Sequence, residues 1–84
     1  MALYFFHLHN GIDLLLDPDG RSLALAGIPE AALAEARAMI AADALEGHIH
    51  LDQQIEVQDS AGKIVHRLPF EDAVAVTHLA VRSH

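Results

Sequence analysis

Residues 3–9, which read LYFFHLH, decide the fold more than any other part of the chain. Their side chains alternate as in a strand that presents two different faces. We predict that the even-numbered face lies in the core and that the odd-numbered face lies on the open side of a sheet. The even face holds Tyr4, Phe6 and Leu8, and the odd face holds Leu3, Phe5, His7 and His9.

The residues after this strand predict a hairpin. Asn10-Gly11 suits the two positive φ values of a type I′ turn, and an apolar run resumes over residues 12–16. The DPDG sequence at residues 17–20 is rich in turn-forming residues and ends the second strand. A brief extended piece is expected at residues 23–25.

A long helix is predicted from Pro29 to Glu46. Proline is favoured in a first helical turn, acidic residues there complement the helix dipole, and Gly47 provides a stop. The apolar residues recur at helical spacing, so one stripe should face the sheet. This stripe comprises Leu33, Ala36, Ile40 and Ala44, with Met39 beside it.

Two further strands are predicted at residues 54–58 and 63–68, joined by a turn at residues 59–62 and ended by Pro69. Residues 70–72 suit the start of a short C-terminal helix, although the valine-rich stretch after them would also serve as a strand. The prediction for residues 1–84 is therefore a single small α+β domain. It is a ββαββ two-layer sandwich in which an antiparallel sheet carries one long helix on one face, with a short C-terminal helix.

The composition limits the size of the core. Of the 84 residues, 52% are hydrophobic, but fifteen are alanines, only four are aromatic and none is cysteine. A chain this short buries only about 60 to 65% of its unfolded surface, and no disulfide compensates. A second copy of the chain is thus an expected partner, most simply in a homodimer.

The charge balance argues against several functions. Five basic residues against twelve acidic ones give a net charge of −7, and the basic residues are scattered, so nucleic-acid binding is not expected. The apolar runs are far shorter than the ~20 residues of a membrane span, and the first residues do not resemble a signal peptide. We expect a cytoplasmic protein without membrane contact.

Seven histidines are the unusual feature of the composition. The pairs His7/His9 and His48/His50 each place two imidazoles on one side of an extended segment, and imidazole binds zinc, copper and nickel well. A metal site needs three or four converging ligands, however, and no established metal motif is present. We therefore predict no metal site or cofactor and retain these four residues as the metal candidates.

No catalytic residues are predicted, because the sequence has no nucleophile elbow, phosphate-binding glycine loop or dinucleotide fingerprint. The odd face of the first strand is more informative, because it presents an apolar patch on the side away from the helix. Either the C-terminal segment or another molecule should cover that patch. Leu3, Phe5 and His7 are therefore the interface candidates.

The order of several motifs resembles a family of short bacterial proteins known only as a domain of unknown function. The resemblance covers nearly the whole chain and implies no established activity, cofactor or partner. It is carried by Tyr4-Phe5-Phe6-His7, Gly11, Asp17-x-x-Gly20, Ala36-Arg37, Ile55-Glu56-Val57-x-Asp59-x-x-Gly62, Pro69-Phe70 and Asp72-Ala73.

The sequence thus favours a non-catalytic protein-interaction or regulatory module that acts as a homo-oligomer. A histidine-based metal-binding protein is one alternative. A small-ligand binder or enzyme with its site between subunits is another.

Overall fold

The computed structural model describes residues 1–77 and confirms the predicted α+β class. An antiparallel sheet in the order β2-β1-β4-β5, with β3 also paired to β1, is packed against one long helix. The elements are β1 (Ala2–His9), β2 (Leu14–Leu15), β3 (Arg21–Leu23), α1 (Ile28–Leu45), β4 (Gln54–Asp59) and β5 (Ile64–Pro69), with 3-10 turns at Leu25–Gly27 and Phe70–Asp72.

The helix has the predicted ends. Pro29 and Glu30 lie in its first turn, and Gly47, at φ +90°, donates its N–H to the carbonyl of Ala44 at 3.0 Å just beyond its last turn. Its buried residues are spaced by four. They are Ile28, Ala32, Ala36 and Ile40, while Leu33 and Met39 are half-buried beside them.

The prediction that Ala44 belongs to the buried stripe was wrong. Residues 41–45 are exposed apart from the half-buried Asp43. The last turn of α1 therefore projects past the core, so that helical spacing alone does not bury Ala44.

The even face of β1 forms the centre of the core, as predicted. Tyr4 and Phe6 are buried, and Leu8 is half-buried against the same cluster. Ile55 and Val57 of β4 lie beside them and are almost fully buried. Alanines of α1 allow the helix to approach this layer closely.

The type I′ turn predicted at Asn10-Gly11 was wrong. Strand β2 begins only at Leu14, which pairs with His9, so the connection has four residues, 10–13. The Asn10 Oδ1 accepts N–H bonds from Ile12 at 3.0 Å and Asp13 at 2.7 Å, and only Gly11 has positive φ in this loop. The asparagine side chain organises a longer loop that the two-residue template does not represent.

Two other segments also differ in detail from the prediction. The extended piece expected at residues 23–25 lies at Arg21–Leu23, because it pairs with the start of β1. The short helix after β5 is a single 3-10 turn, Phe70–Asp72, and residues 74–77 form no regular structure. The rest of the predicted C-terminal helix lies outside the described residues.

No helix within residues 1–77 combines the length and the hydropathy needed to cross a membrane.

Candidate functional site

One long side of β1 is shared by two short strands that leave a gap between them. Strand β2 pairs with Leu8 and His9, and β3 pairs with residues 2–4. The chain leaves the sheet over residues 16–20, which we call the excursion segment. Within residues 1–77, no strand consequently faces residues 5–7 of β1 on this side.

The Asp17 side chain occupies that gap. The Phe6 N–H donates to Asp17 Oδ2 at 3.1 Å, so the carboxylate replaces the carbonyl that a neighbouring strand would supply. The Asp17 N–H in turn donates to Nδ1 of His7 at 3.0 Å. Two hydrogen bonds in opposite directions therefore anchor the excursion segment to β1, and we call this arrangement the Asp17 junction.

The same carboxylate also shapes the turn that follows it. Asp17 Oδ1 accepts N–H bonds from Asp19 at 3.2 Å and from Gly20 at 3.1 Å. Burial alone would raise the pKa of the Asp17 carboxyl, but the three backbone N–H donors, with help from the Arg21 cation, outweigh it and hold the pKa below its ordinary value of 3.8. Asp17 is thus a structural carboxylate that stays ionised at neutral pH.

The turn covers part of the odd face of β1. Gly20 lies against the ring of Phe5, which is half-buried, and the His7 imidazole is buried and stacks on Phe5 with ring centroids 6.2 Å apart. The excursion segment thus covers part of the patch for which the sequence suggested the C-terminal segment or another molecule. Leu3 stays 40% exposed.

Arg21 joins this edge of the sheet to the helix. Its guanidinium lies 4.4 Å from the centroid of the Phe6 ring, and its Nη2 is 2.7 Å from Oε1 of Glu35 on α1. The first contact joins β3 to β1, and the second joins β3 to α1; all three residues line an open cleft of about 270 Å³. Its lining comprises Phe6, Leu8, Leu15, Leu16, Asp17, Arg21, Glu35 and Met39.

A row of exposed aliphatic side chains lies beside the cleft. Ile12, Leu14, Leu15 and Leu16 have between 41% and 91% of their surface exposed. We call these four residues the apolar edge, because β2 is the last strand in the sheet order on this side. Sheet edges with apolar side chains are typical sites of pairing with another chain.

The predicted metal candidates do not converge. His7 is buried with Nδ1 occupied, and His9 Nδ1 accepts the Gly11 N–H at 3.2 Å. His48 and His50 are exposed, with ring centroids 5.7 Å apart. Among the 77 described residues, no group of three or more histidine, aspartate and glutamate side chains is placed to hold a metal ion.

A second open cleft, of about 430 Å³, lies near the C-terminal end of α1. No sequence motif indicates this cleft, because its lining comes from the first loop, the helix α1 and the segment before β4. The lining comprises Asn10, Ile12, Asp43, His50, Asp52 and Gln53.

Over residues 1–77 the structure is thus a small α+β domain of one sheet and one helix, and its exposed candidate site consists of the apolar edge and the adjoining cleft. The chain belongs to the family described as "Domain of unknown function (DUF6894)", whose model matches residues 3–71. No curated protein matches the chain. No solved structure matches it either.

Two of the motifs that carry the sequence resemblance meet at the Asp17 junction. Phe5, Phe6 and His7 contact the Asp17-x-x-Gly20 turn through the hydrogen bonds and ring contacts described above. Both motifs are visible in the sequence but their contact is not, since they are joined across a gap in the sheet rather than by strand pairing.

We predict that Asp17→Asn lowers the free energy of unfolding at neutral pH by about 2 kcal/mol, the range of a lost charge-assisted hydrogen bond. An amide keeps one acceptor oxygen but presents an NH₂ donor to one of the backbone donors. Urea denaturation would measure the loss. The matched control is Asp19→Asn in the same turn, whose exposed side chain should change stability by no more than about 0.5 kcal/mol.

The difference in unfolding free energy between the wild type and Asp17→Asn should also depend on pH. The pKa of the Asp17 carboxyl is lower in the folded chain than its ordinary value of 3.8. The stabilisation that the ionised carboxylate provides is therefore fully present above pH 3.8 and is lost as the pH falls through the folded pKa. The wild-type protein and Asp17→Asn should therefore become more similar in stability on strong acidification. A gap that stays constant to the lowest pH, or equal losses for Asp17→Asn and Asp19→Asn, would contradict this role.

Proposed function

We propose that the chain is a non-catalytic protein-interaction module of the cytoplasm that acts as a homodimer through the apolar edge. The observation that carries the proposal is the exposure of four large aliphatic side chains, Ile12 and residues 14–16, along one edge of the sheet.

An edge strand suits pairing with a second copy of itself. Antiparallel association of β2 with the same strand of another molecule would place Leu14 opposite Leu15 of the second copy and would give the edge backbone groups partners. One patch meets itself, which is the geometry of a twofold dimer. The leucines and Ile12 would be removed from water at the same time.

The charges near the apolar edge support an interaction role over chemistry at the cleft. Arg21 is paired with Glu35, and Asp17 is held by backbone amides. A catalytic site requires a nucleophile or base directed at a substrate, whereas Arg21 and Glu35 bind each other and Asp17 binds the backbone. Their arrangement stabilises the walls of the cleft.

The chain's net charge opposes association between copies. Two molecules each carrying a formal charge of −7 repel. Asp13 lies between Ile12 and Leu14 of the apolar edge, and Asp17 directly follows Leu16. Salt screens this repulsion over a distance of about 10 Å at about 0.1 M ionic strength. Homodimerisation should therefore become tighter as salt is added.

Sedimentation equilibrium at tens of micromolar would test the proposal. We expect a dimer whose dissociation constant falls as NaCl is raised from about 0.05 M to about 0.5 M. Leu15→Glu should give a folded monomer, because it places a carboxylate in the interface and its own side chain is exposed in the single chain. The matched control, Leu45→Glu at the exposed end of α1, should remain dimeric.

Two results would contradict this assignment. A wild-type monomer at both salt concentrations would exclude the homodimer. A dimer that persists in Leu15→Glu but dissociates in Leu3→Glu would place the interface on the odd face of β1, where Leu3, Phe5 and His7 were the predicted contacts.

A further inference from the structure

His7 is a buried histidine whose acceptor nitrogen holds a backbone amide. The side chain and backbone together are 7% exposed, and Nδ1 accepts the Asp17 N–H at 3.0 Å. A neutral imidazole that accepts at Nδ1 carries its hydrogen on Nε2. The contact between β1 and the excursion segment therefore depends on an unprotonated Nδ1.

Protonation of the His7 imidazole would turn Nδ1 from a hydrogen-bond acceptor into a donor. An imidazolium is a donor at both nitrogens, so its Nδ1–H would oppose the N–H of Asp17. Two facing donors cannot form a hydrogen bond, and the partly buried amide would lose its partner. One of the two hydrogen bonds that tie Asp17 to β1 would be lost.

The charged groups around His7 favour a second position for the imidazolium. The Asp17 carboxylate belongs to the excursion segment, and Glu56 of β4 lies directly opposite His7 in the sheet register. Arg67 of β5 lies behind Glu56, with its Nε 3.7 Å from Oε2, and His9 shares the same face of β1. Two carboxylates attract the imidazolium, whereas Arg67 and a protonated His9 oppose it.

We propose that His7 is a proton-sensitive latch whose protonation releases the Asp17 amide and loosens the excursion segment from β1. The imidazolium exchanges its hydrogen bond from Asp17 N for contact with the carboxylate of Glu56, which lies on β4 and not on the excursion segment. Leu16 and Asp17 are lining residues of the 270 Å³ cleft, so the latch links acidification to the shape of that cleft. This step does not require the homodimer and holds for a single chain.

Asp17 itself does not titrate in the relevant range. The backbone amides that overcome the effect of burial keep its pKa below 3.8, whereas histidine is the side chain whose charge changes between about pH 5 and pH 8. A transition in that range at the Asp17 amide would therefore report protonation of an imidazole. The substitution His7→Asn separates the acceptor from the titration, because asparagine Oδ1 takes the place of Nδ1 and gains no proton.

The experiment is an NMR titration of the wild-type chain, His7→Asn and His9→Asn from about pH 7.5 to about pH 5. In the wild type, the exchange protection of the Asp17 amide, corrected for intrinsic exchange at each pH, should fall about tenfold, as expected for one lost hydrogen bond. His7→Asn should show no such change. His9→Asn should retain it, because the Nδ1 atom of His9 accepts the Gly11 amide in the neighbouring loop and not the Asp17 amide.

The ring nitrogens of His7 provide a second measurement that needs no substitution. Their ¹⁵N shifts should report the Nε2–H tautomer at neutral pH, and their titration should have the same midpoint as the change at the Asp17 amide. Different midpoints, a His7 titration that leaves the Asp17 amide unchanged, or a transition that persists in His7→Asn would each overturn the proposal.

Discussion

Phe70→Ala is expected to destabilise the domain by about 3 to 5 kcal/mol, the usual cost of removing a fully buried phenylalanine. Phe70 is 0% exposed and is among the largest completely buried side chains of the described core. Its backbone N–H also donates to the carbonyl of Gln53 at 2.8 Å, so the ring is fixed where β5 leaves the sheet. A cavity at this point cannot close by a small movement of the chain.

The small size of the domain makes this loss severe. Folded domains are stable by only about 5 to 15 kcal/mol, and small ones lie near the lower limit. We therefore expect a large unfolded population of Phe70→Ala, measured by thermal and urea unfolding followed by circular dichroism. Val76→Ala, at a valine that is 59% exposed in the same part of the chain, is the control and should be close to wild type. A loss below about 1 kcal/mol for Phe70→Ala would show that the ring is not a core residue.

The features predicted best from sequence are those set by a repeating pattern. Alternation in β1 placed Tyr4 and Phe6 in the core, and the signals at Pro29 and Gly47 located the ends of α1. Each of these depends on neighbours only a few positions away. Local physical chemistry is sufficient for them.

The features that the sequence did not predict depend on side-chain oxygens that accept hydrogen bonds in place of backbone carbonyls. Asn10 Oδ1 binds two amides and makes the first loop longer than a type I′ turn. Asp17 Oδ2 takes the place of a strand carbonyl opposite Phe6. Neither role has a periodic signature, because each asparagine or aspartate in such a segment is also an ordinary turn residue.

The histidines illustrate the same limit at the candidate site. The spacing made His7/His9 and His48/His50 equivalent pairs of metal candidates, and in the structure the rings of His48 and His50 stack. In the structure the Asp17 amide occupies Nδ1 of His7, and the excursion segment lies against that histidine. His7 differs from His9 because it contacts a residue ten positions away in the chain, and the spacing of histidines does not predict that contact.

Gly20→Ala is expected to destabilise the domain by about 2 to 5 kcal/mol, because it combines left-handed backbone strain of about 1 to 2 kcal/mol with overpacking of about 1 to 3 kcal/mol. Gly20 has φ +69°, and a Cβ at this position would lie 2.9 Å from the carbonyl oxygen of Tyr4 and 2.9 Å from Cε2 of Phe5. The carbonyl belongs to the β1 backbone, which is paired on both sides, so it cannot move without disturbing the sheet.

Gly62→Ala separates the two causes, because it has the same strain without the contact. Gly62 has φ +86°, and no atom lies within 4 Å of the place that an alanine methyl group would take, so we expect only the cost of left-handed backbone, about 1 to 2 kcal/mol. Urea denaturation of both variants gives the comparison, and the excess loss in Gly20→Ala measures how closely the excursion segment is packed on β1. Equal losses of unfolding free energy in the two variants would mean that the excursion segment moves away from β1 at no cost. The Asp17 junction would then be a loose contact and would not anchor the excursion segment to β1.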